Sequence, residues 1–349
     1  MQTFDLAPGH RISRVIKGGW QLAGGHGEVD RQAGIEDMIA FADAGITTFD
    51  CADIYTGVEA LIGAFRDEYE RVRGAEALSR IKVHTKFVPD LGSLATLTRT
   101  DVAEGIETSL KRLGMEQLNL VQFHWWDYEI DRQVEVASWL AELRQEGKIA
   151  NIGGTNFDTE QMLRIVDAGV PLVSMQVQYS LIDDRPSRSM VEAAQAHGIS
   201  LLCYGSVGGG LFSERMLGQK ELQPPFENRS LIKYKLIVDE FGGWDLFQEL
   251  LEVLSAIAAH HDSDIASIAS RAVLERPGVA AVIVGARNRN HLGRNLAIPG
   301  ITLTAQDFAA IDAVLARANP VPGDVYTLER DRNGKHGSVM KYNLNKEGH

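Results

Sequence analysis

The chain has 349 residues, with 47 acidic against 35 basic side chains, a formal charge of −12, 44% hydrophobic and 23% charged residues. That balance suits a globular protein with a large core and excludes a disordered or fibrous chain, while the acidic excess speaks against nucleic acid or an anionic membrane as partner. Cys51 and Cys203 form no CxxC pair, no basic-then-apolar leader precedes Asp5, and the longest apolar run lies near Gly278 to Ala286, so a reduced, cytoplasmic setting without a membrane span is expected.

In chain order, Thr3 to Leu6 and Arg11 to Ser13 flank Pro8-Gly9 and predict a β-hairpin. Strand-like apolar runs follow at Val15-Ile16, Ile46 to Asp50, Ile81 to Phe87, Leu118 to Trp125, Ile149 to Gly153, Leu172 to Val177, Ile199 to Tyr204 and Val279 to Val284. Helix-period stretches lie between them at Gln32 to Ala44, Leu97 to Leu113, Arg132 to Glu146 and Thr159 to Ala168. Gly45, Gly114, Gly147, Gly169 and Gly198 stand where helices stop.

Eight strand-helix repeats over this length predict an α/β fold, a (β/α)8 barrel of the TIM type, as a single domain over 1–349. A long glycine- and proline-bearing loop, about 207–248, follows the seventh strand; such a loop is a lid or carries helices of its own. Residues 319–349 are polar and punctuated by Pro320, Pro322, Gly323, Gly334 and Gly337, and are expected as a C-terminal extension on the barrel surface, in part mobile.

In such barrels the chemistry sits at the C-terminal strand ends. Asp50 ends the second run, Lys86 lies near the end of the third and His124 near the end of the fourth. Alternation puts Lys82, His84 and Lys86 on one face, and Asp50 and Lys86 on neighbouring strands can neutralise each other. Tyr55 follows Asp50 by five residues. A phenol titrates near ~10, and a nearby ammonium lowers that value, so Tyr55 beside Lys86 reads as a tuned proton donor. His124 is then placed to orient or polarise a carbonyl oxygen. Taken singly, each residue has a structural explanation: an ion pair for Lys86, packing for Tyr55, a satisfied core imidazole for His124. His84, His124 and Asp50 show no HxH or HExxH spacing, so no metal is expected.

The run Gly45-Ile46-Thr47-Thr48-Phe49-Asp50-Cys51-Ala52-Asp53-Ile54-Tyr55, followed by Glu59 and Gly63, resembles the first signature of the aldo-keto reductase superfamily. His84-Thr85-Lys86 and Val121-Gln122-Phe123-His124-Trp125 resemble its lysine and histidine segments, and the likeness extends over roughly residues 10 to 318. The resemblance implies that Tyr55 is the general acid of carbonyl reduction, that Asp50 and Lys86 tune it, and that His124 positions the substrate. It implies an NADP-dependent enzyme that reduces aldehydes or ketones to alcohols or runs the reverse alcohol dehydrogenase reaction.

No GxGxxG or GxxxxGK[ST] is present, so the nucleotide must be held by the barrel's later loops. Gly153-Gly154-Thr155-Asn156-Phe157 resembles the family's Gly-Val-Ser-Asn-Phe, with Thr155 for serine, and Gln176 matches its carboxamide-binding glutamine. Tyr204 matches the tyrosine that stacks on the nicotinamide. Gly205, Ser206, Val207 and Gly208 open a glycine run able to approach a pyrophosphate, or simply to form a flexible loop. By the same resemblance Gly19, Trp20 and Asp50 join the cofactor site. From Arg276 to Gln306 there are four arginines and no acidic residue. Arg287, Arg289, His291, Arg294 and Asn295 resemble the adenosine-phosphate segment, with Arg294 in place of the usual glutamate. Arginine supply favours NADP(H) over NAD(H), the alternative being a solvated basic helix start.

Trp20, Tyr55, His124 and Trp125 are expected to line the substrate pocket, with Trp126 and Gln21 nearby. The alternative reading is an NADP(H)-binding sensor on the same barrel with slow turnover, as the potassium-channel β-subunits resemble. A small carbonyl compound is the expected partner.

Overall fold

Short apolar runs bounded by glycine turns form strands, and the helices joining them make those strands run parallel. The computed structural model describes residues 1–23, 30–286 and 288–347. Strands β3 (Val15–Gly18), β4 (Thr48–Asp50), β5 (Lys82–Phe87), β6 (Leu120–Phe123), β7 (Ile152–Thr155), β8 (Leu172–Gln178), β9 (Ser200–Tyr204) and β10 (Val279–Gly285) form a closed barrel, with β10 pairing back to β3. Every neighbouring pair is parallel. The (β/α)8 architecture expected from the repeat is the one observed.

Helices α1 (Arg31–Asp43), α2 (Val58–Arg73), α3 (Ala75–Ser79), α4 (Arg99–Leu113), α5 (Gln133–Gln145), α6 (Thr159–Asp167) and α7 (Met190–Ala196) follow the successive strands. The predicted helix stops are real: Gly45, Gly114, Gly147, Gly169 and Gly198 all adopt positive φ, the left-handed turn that ends a helix without a Cβ penalty.

The predicted hairpin, β1 (Thr3–Ala7) with β2 (His10–Ser13), plugs the N-terminal end of the barrel. Its Leu6 and Ile12 pack with Ile16, Leu120, Leu202 and Ile283. His10 Nε2 meets His84 Nε2 at 2.9 Å, and burial holds both imidazoles below their ordinary pKa, His10 at about 4. His84 therefore serves this closed end, although it shares a strand with Lys86.

Gly63 on α2 is a position that only glycine fits. A Cβ there would lie 2.3 Å from the carbonyl oxygen of Arg112 on α4, and backbone cannot swing aside as a flexible side chain can. Gly63→Ala is therefore expected to destabilise the protein by about 2 kcal/mol, despite the helix-propensity gain of about 1 kcal/mol. A thermal melt of the variant checks this; an unchanged or higher Tm contradicts it.

The second half of the 207–248 stretch is helical, as one of the two expectations had it. It holds α8 (Arg229–Phe241) and the start of α9 (Trp244–His260), whose Leu231, Ile237, Phe241 and Phe247 form an apolar layer with α10 (Ile265–Leu274) and α12 (Ala305–Leu315). A short helix, α11 (Leu292–Ala297), follows β10. Beyond α12, the extension is fastened across the mouth of the barrel and does not merely drape over the surface. It carries α13 (Thr327–Arg330) and α14 (Leu344–Glu347). Asp324 Oδ2 accepts from the Thr159 amide at 2.9 Å, Tyr342 O from the Leu91 amide at 2.9 Å, and Asn345 Nδ2 donates to Val88 O at 2.9 Å.

Candidate active site

Strand register brings the expected residues to one rim. Asp50 pairs in register with His84, so Lys86, two residues further along, projects from the same face nearer the mouth. Lys86 Nζ donates to Asp50 Oδ2 at 2.7 Å and to Cys51 O at 2.7 Å, and lies 5.2 Å from the centre of the Tyr55 ring. Asp50 Oδ1 also accepts from Gln122 Nε2 at 2.9 Å and Gln176 Nε2 at 2.6 Å. A buried ion pair survives only when its remaining hydrogen-bonding capacity is met, and these two amides meet it. Burial alone would lower the Lys86 pKa, but the Asp50 carboxylate and the Tyr55 phenol more than offset it, so the ammonium is held above its ordinary value.

Tyr55 departs from expectation. Burial raises its pKa, and although the Lys86 ammonium pulls it down, the net shift is upward. The lowered phenol expected from the sequence is not present; Tyr55 holds its proton at neutral pH.

His124 Nδ1 lies 3.0 Å from the carbonyl oxygen of Thr155. A carbonyl only accepts, so Nδ1 carries the hydrogen and a neutral ring presents a lone pair at Nε2. Burial, followed by the charge of Arg330, lowers its pKa to about 3, so the ring is neutral at physiological pH. Nε2 is buried with no partner, as is Trp126 Nε1. As placed, His124 offers an acceptor at Nε2, which suits orienting a hydroxyl group, and Trp126 supplies an unspent donor beside it, with the two rings 4.2 Å apart.

Asp50, Tyr55, Lys86, His124, Trp126 and Trp20 open onto one cleft of about 540 Å³. Trp20 meets Tyr55 edge-on at 5.0 Å. Thr155, Asn156, Gln176, Tyr204, Gly205 and Val207 line the same cleft, as do His291, Arg294 and Asn295. Asn156 Oδ1 accepts from the Tyr204 hydroxyl at 2.8 Å. Gln176 spends its amide nitrogen on Asp50 and on Gln122 Oε1 at 3.0 Å. What remains is the Asn156 NH2 as donor and the Gln176 carbonyl as acceptor, the complement of a carboxamide. Asn295 Nδ2, buried without a partner, leaves a donor for an adenosine group. These residues fit a nicotinamide dinucleotide.

Several expected residues stand elsewhere. Trp125 is wholly buried in the apolar core and donates to Asp127 O and Ile130 O at 2.9 and 3.0 Å; it does not line the cleft, and Trp126 takes that place. Arg289 turns to α1, pairing with Asp37 at 2.9 Å and Glu36 at 3.7 Å. Ser206 is buried behind the wall, its hydroxyl 3.0 Å from that of Ser270. Gly208 is buried as well. Gly19 sits beside the cleft, its amide donating to Asp50 O at 2.7 Å. Arg287 lies outside the described residues.

Gln122, Lys233, Tyr326 and Arg330 were missed by sequence reasoning. Arg330 donates to the carbonyls of Trp125, Trp126 and Asn156, the last two at 2.9 and 2.7 Å, and its guanidinium lies 3.9 Å from the centre of the Tyr128 ring. It clamps the ends of β6 and β7 to the extension. The one available signal was the aromatic and charged segment Tyr326 to Arg330 inside an otherwise polar tail.

The family model described as "Aldo/keto reductase family" matches residues 14–316. The chain is 29% identical over 317 residues to aldo-keto reductase YhdN of Bacillus subtilis (strain 168), covering 88% of this chain and 91% of that protein. It is 23% identical over 322 residues to the NADH-specific methylglyoxal reductase of Escherichia coli (strain K12), covering 85% and 92%. Among solved structures, the glycerol dehydrogenase of Gluconobacter oxydans superposes with a TM-score of 0.75 at 25% identity, covering 90% of this chain and 95% of that one. With the barrel, the strand-end residues and a family match over most of its length, the chain belongs to the aldo/keto reductase family.

Proposed function

We propose that the protein is an NADP(H)-dependent reductase of small aldehydes or ketones, with Tyr55 as the acid that protonates the carbonyl oxygen. The observation that carries this reading is the Asp50–Lys86–Tyr55 array at the barrel mouth, with Lys86 Nζ 2.7 Å from Asp50 and 5.2 Å from the Tyr55 ring centre. A bound reduced nicotinamide supplies the hydride. The chain's own part is orientation and the proton. Tyr55 keeps its proton until oxygen gains charge, when the neighbouring ammonium favours the phenolate left behind. Asp50 fixes that ammonium, and Gln122 and Gln176 fix Asp50. His124 Nε2 accepts from a hydroxyl on the substrate or on the product alcohol. Arg294 lines the cleft and supports the preference for a 2′-phosphate, since among the described residues its ion pair, with Asp264 at 3.5 Å, is a loose one.

The test is initial-rate oxidation of NADPH, and of NADH in parallel, against a panel of aldehydes and ketones. Turnover with NADPH preferred is expected; a protein that binds NADPH yet reduces nothing in the panel sinks the reading.

A further inference from the structure

Lys233, on α8, is part of the cleft and takes no share in the array around Tyr55. Its Nζ lies 4.9 Å from the centre of the Tyr204 ring, 5.6 Å from Tyr234 and 5.7 Å from Tyr326. Among the described residues its one hydrogen bond is a long one of 3.5 Å to the Tyr204 hydroxyl. Among the described residues it has no ion pair. The carboxylates that act on it, Glu329 and Asp183, are already bound at 3.0 and 2.8 Å by Arg185, whose own charge opposes theirs at Lys233. An ammonium so placed, walled by aromatic faces and open to a cleft, is unusual, because desolvating a cation without a counter-charge is costly.

We propose that Lys233 recognises an anionic group, a carboxylate or a phosphate, carried by the carbonyl substrate a few bonds from its reacting carbon. This inference rests on the reductase reading above and names the substrate class for that site.

Placement argues for substrate over the cofactor's phosphates. Tyr326 neighbours both Lys233 and the reacting end, its ring 5.7 Å from that of His124 and 5.7 Å from Lys233 Nζ. His124 follows β6, whereas His291, Arg294 and Asn295 follow β10, and these two strands face each other across the closed ring. Lys233 itself reaches the cleft on α8, between β9 and β10, and its contact with Tyr326 is what ties it to the side of His124. Tyr326 is also held at φ 61, a conformation costly for a bulky residue and characteristic of functional sites. Burial lowers the Lys233 pKa from its ordinary value, a desolvation penalty that a bound anion would relieve.

The experiment compares wild type with Lys233→Met and Lys233→Arg on two matched pairs, succinic semialdehyde with butanal and glyceraldehyde phosphate with glyceraldehyde. The readout is the ratio of kcat/KM, anionic over neutral, within each enzyme, with NADPH affinity measured separately by fluorescence. In wild type the ratio is expected to exceed one for at least one pair, and the pair that shows it identifies carboxylate or phosphate. Lys233→Met is expected to lower that ratio by about tenfold or more, through KM, and Lys233→Arg to restore most of it. An unchanged ratio in Lys233→Met, or a loss confined to NADPH affinity, overturns the proposal. If wild type turns over neither member of any pair, the reductase reading fails on its own. Calorimetric binding of γ-hydroxybutyrate and of glycerol phosphate to the NADP-loaded protein then still decides Lys233: at least one should bind wild type and weaken in Lys233→Met, and binding of neither, or equal binding to both proteins, overturns the assignment.

Discussion

Tyr55→Phe is expected to lower kcat for aldehyde reduction by about a thousandfold, the usual worth of a positioned general acid. The substitution keeps the ring that packs against Trp20 and Lys86 and removes only the hydroxyl that carries the proton. NADPH affinity, measured by fluorescence titration, is expected to survive, which separates lost chemistry from lost folding. Near wild-type turnover would remove Tyr55 from the mechanism. The upward shift of the phenol also gives the pH profile a sign. Tyr55 keeps its proton until pH exceeds the ordinary value of ~10, so reduction should be flat from weakly acidic to weakly alkaline pH. Alcohol oxidation, which needs the phenolate, should climb steadily with pH. His124, at about 3, adds no inflection near neutrality. Initial rates in both directions across that range check each point.

The second large effect is on stability. Glu329→Gln is expected to cost about 3 kcal/mol, in the range for breaking a buried ion pair, and to lower Tm by roughly 5 °C. Glu329 and Arg185 are both almost wholly buried, paired through two contacts of 3.0 Å, with Asp183 completing the triad. Burial raises the Glu329 pKa, but Arg185 outweighs it and holds the carboxyl at about 2. A depressed folded-state pKa contributes stability that is complete above the unfolded value of ~4.3 and fades as pH falls toward 2. The Tm gap between wild type and variant should therefore be constant near neutrality and close below about pH 4. Because this pair fastens the extension, limited proteolysis should also cut residues 319–349 faster in the variant. An equal Tm at pH 7 refutes the argument.

What could be read from the sequence followed from local rules. The barrel strands are period-two or fully apolar runs, and glycines mark where helices stop, so the eight repeats were visible without tertiary information. Asp50, Lys86, Tyr55 and His124 were visible because each lies at or just past a strand end. Trp125 and Trp126 show the same rule misapplied: with Gln122 and His124 facing inward, alternation sends Trp125 outward to the core and returns Trp126 to the cleft. Arg289 was misplaced because its carboxylate partners, Glu36 and Asp37, are distant in sequence and become neighbours only when β10 closes on β3. The direction of the Tyr55 shift depends on burial, which no spacing encodes. Lys233 and Tyr326 come from an inserted helix and a tail outside the strand-helix repeat, so only folding brings them to the mouth.

The extension has a consequence for how the protein is made. Tyr326, Arg330 and Met340 follow the last strand and the last barrel helix in the chain, yet Tyr326 and Met340 form part of the wall of the cleft. Synthesis proceeds from the N-terminus and elements fold as they emerge. The ring of strands can close while the wall beside His124 is still inside the ribosome, so the nascent barrel exists first as a scaffold with an open face. The wall of the cleft is completed only after the ring of strands.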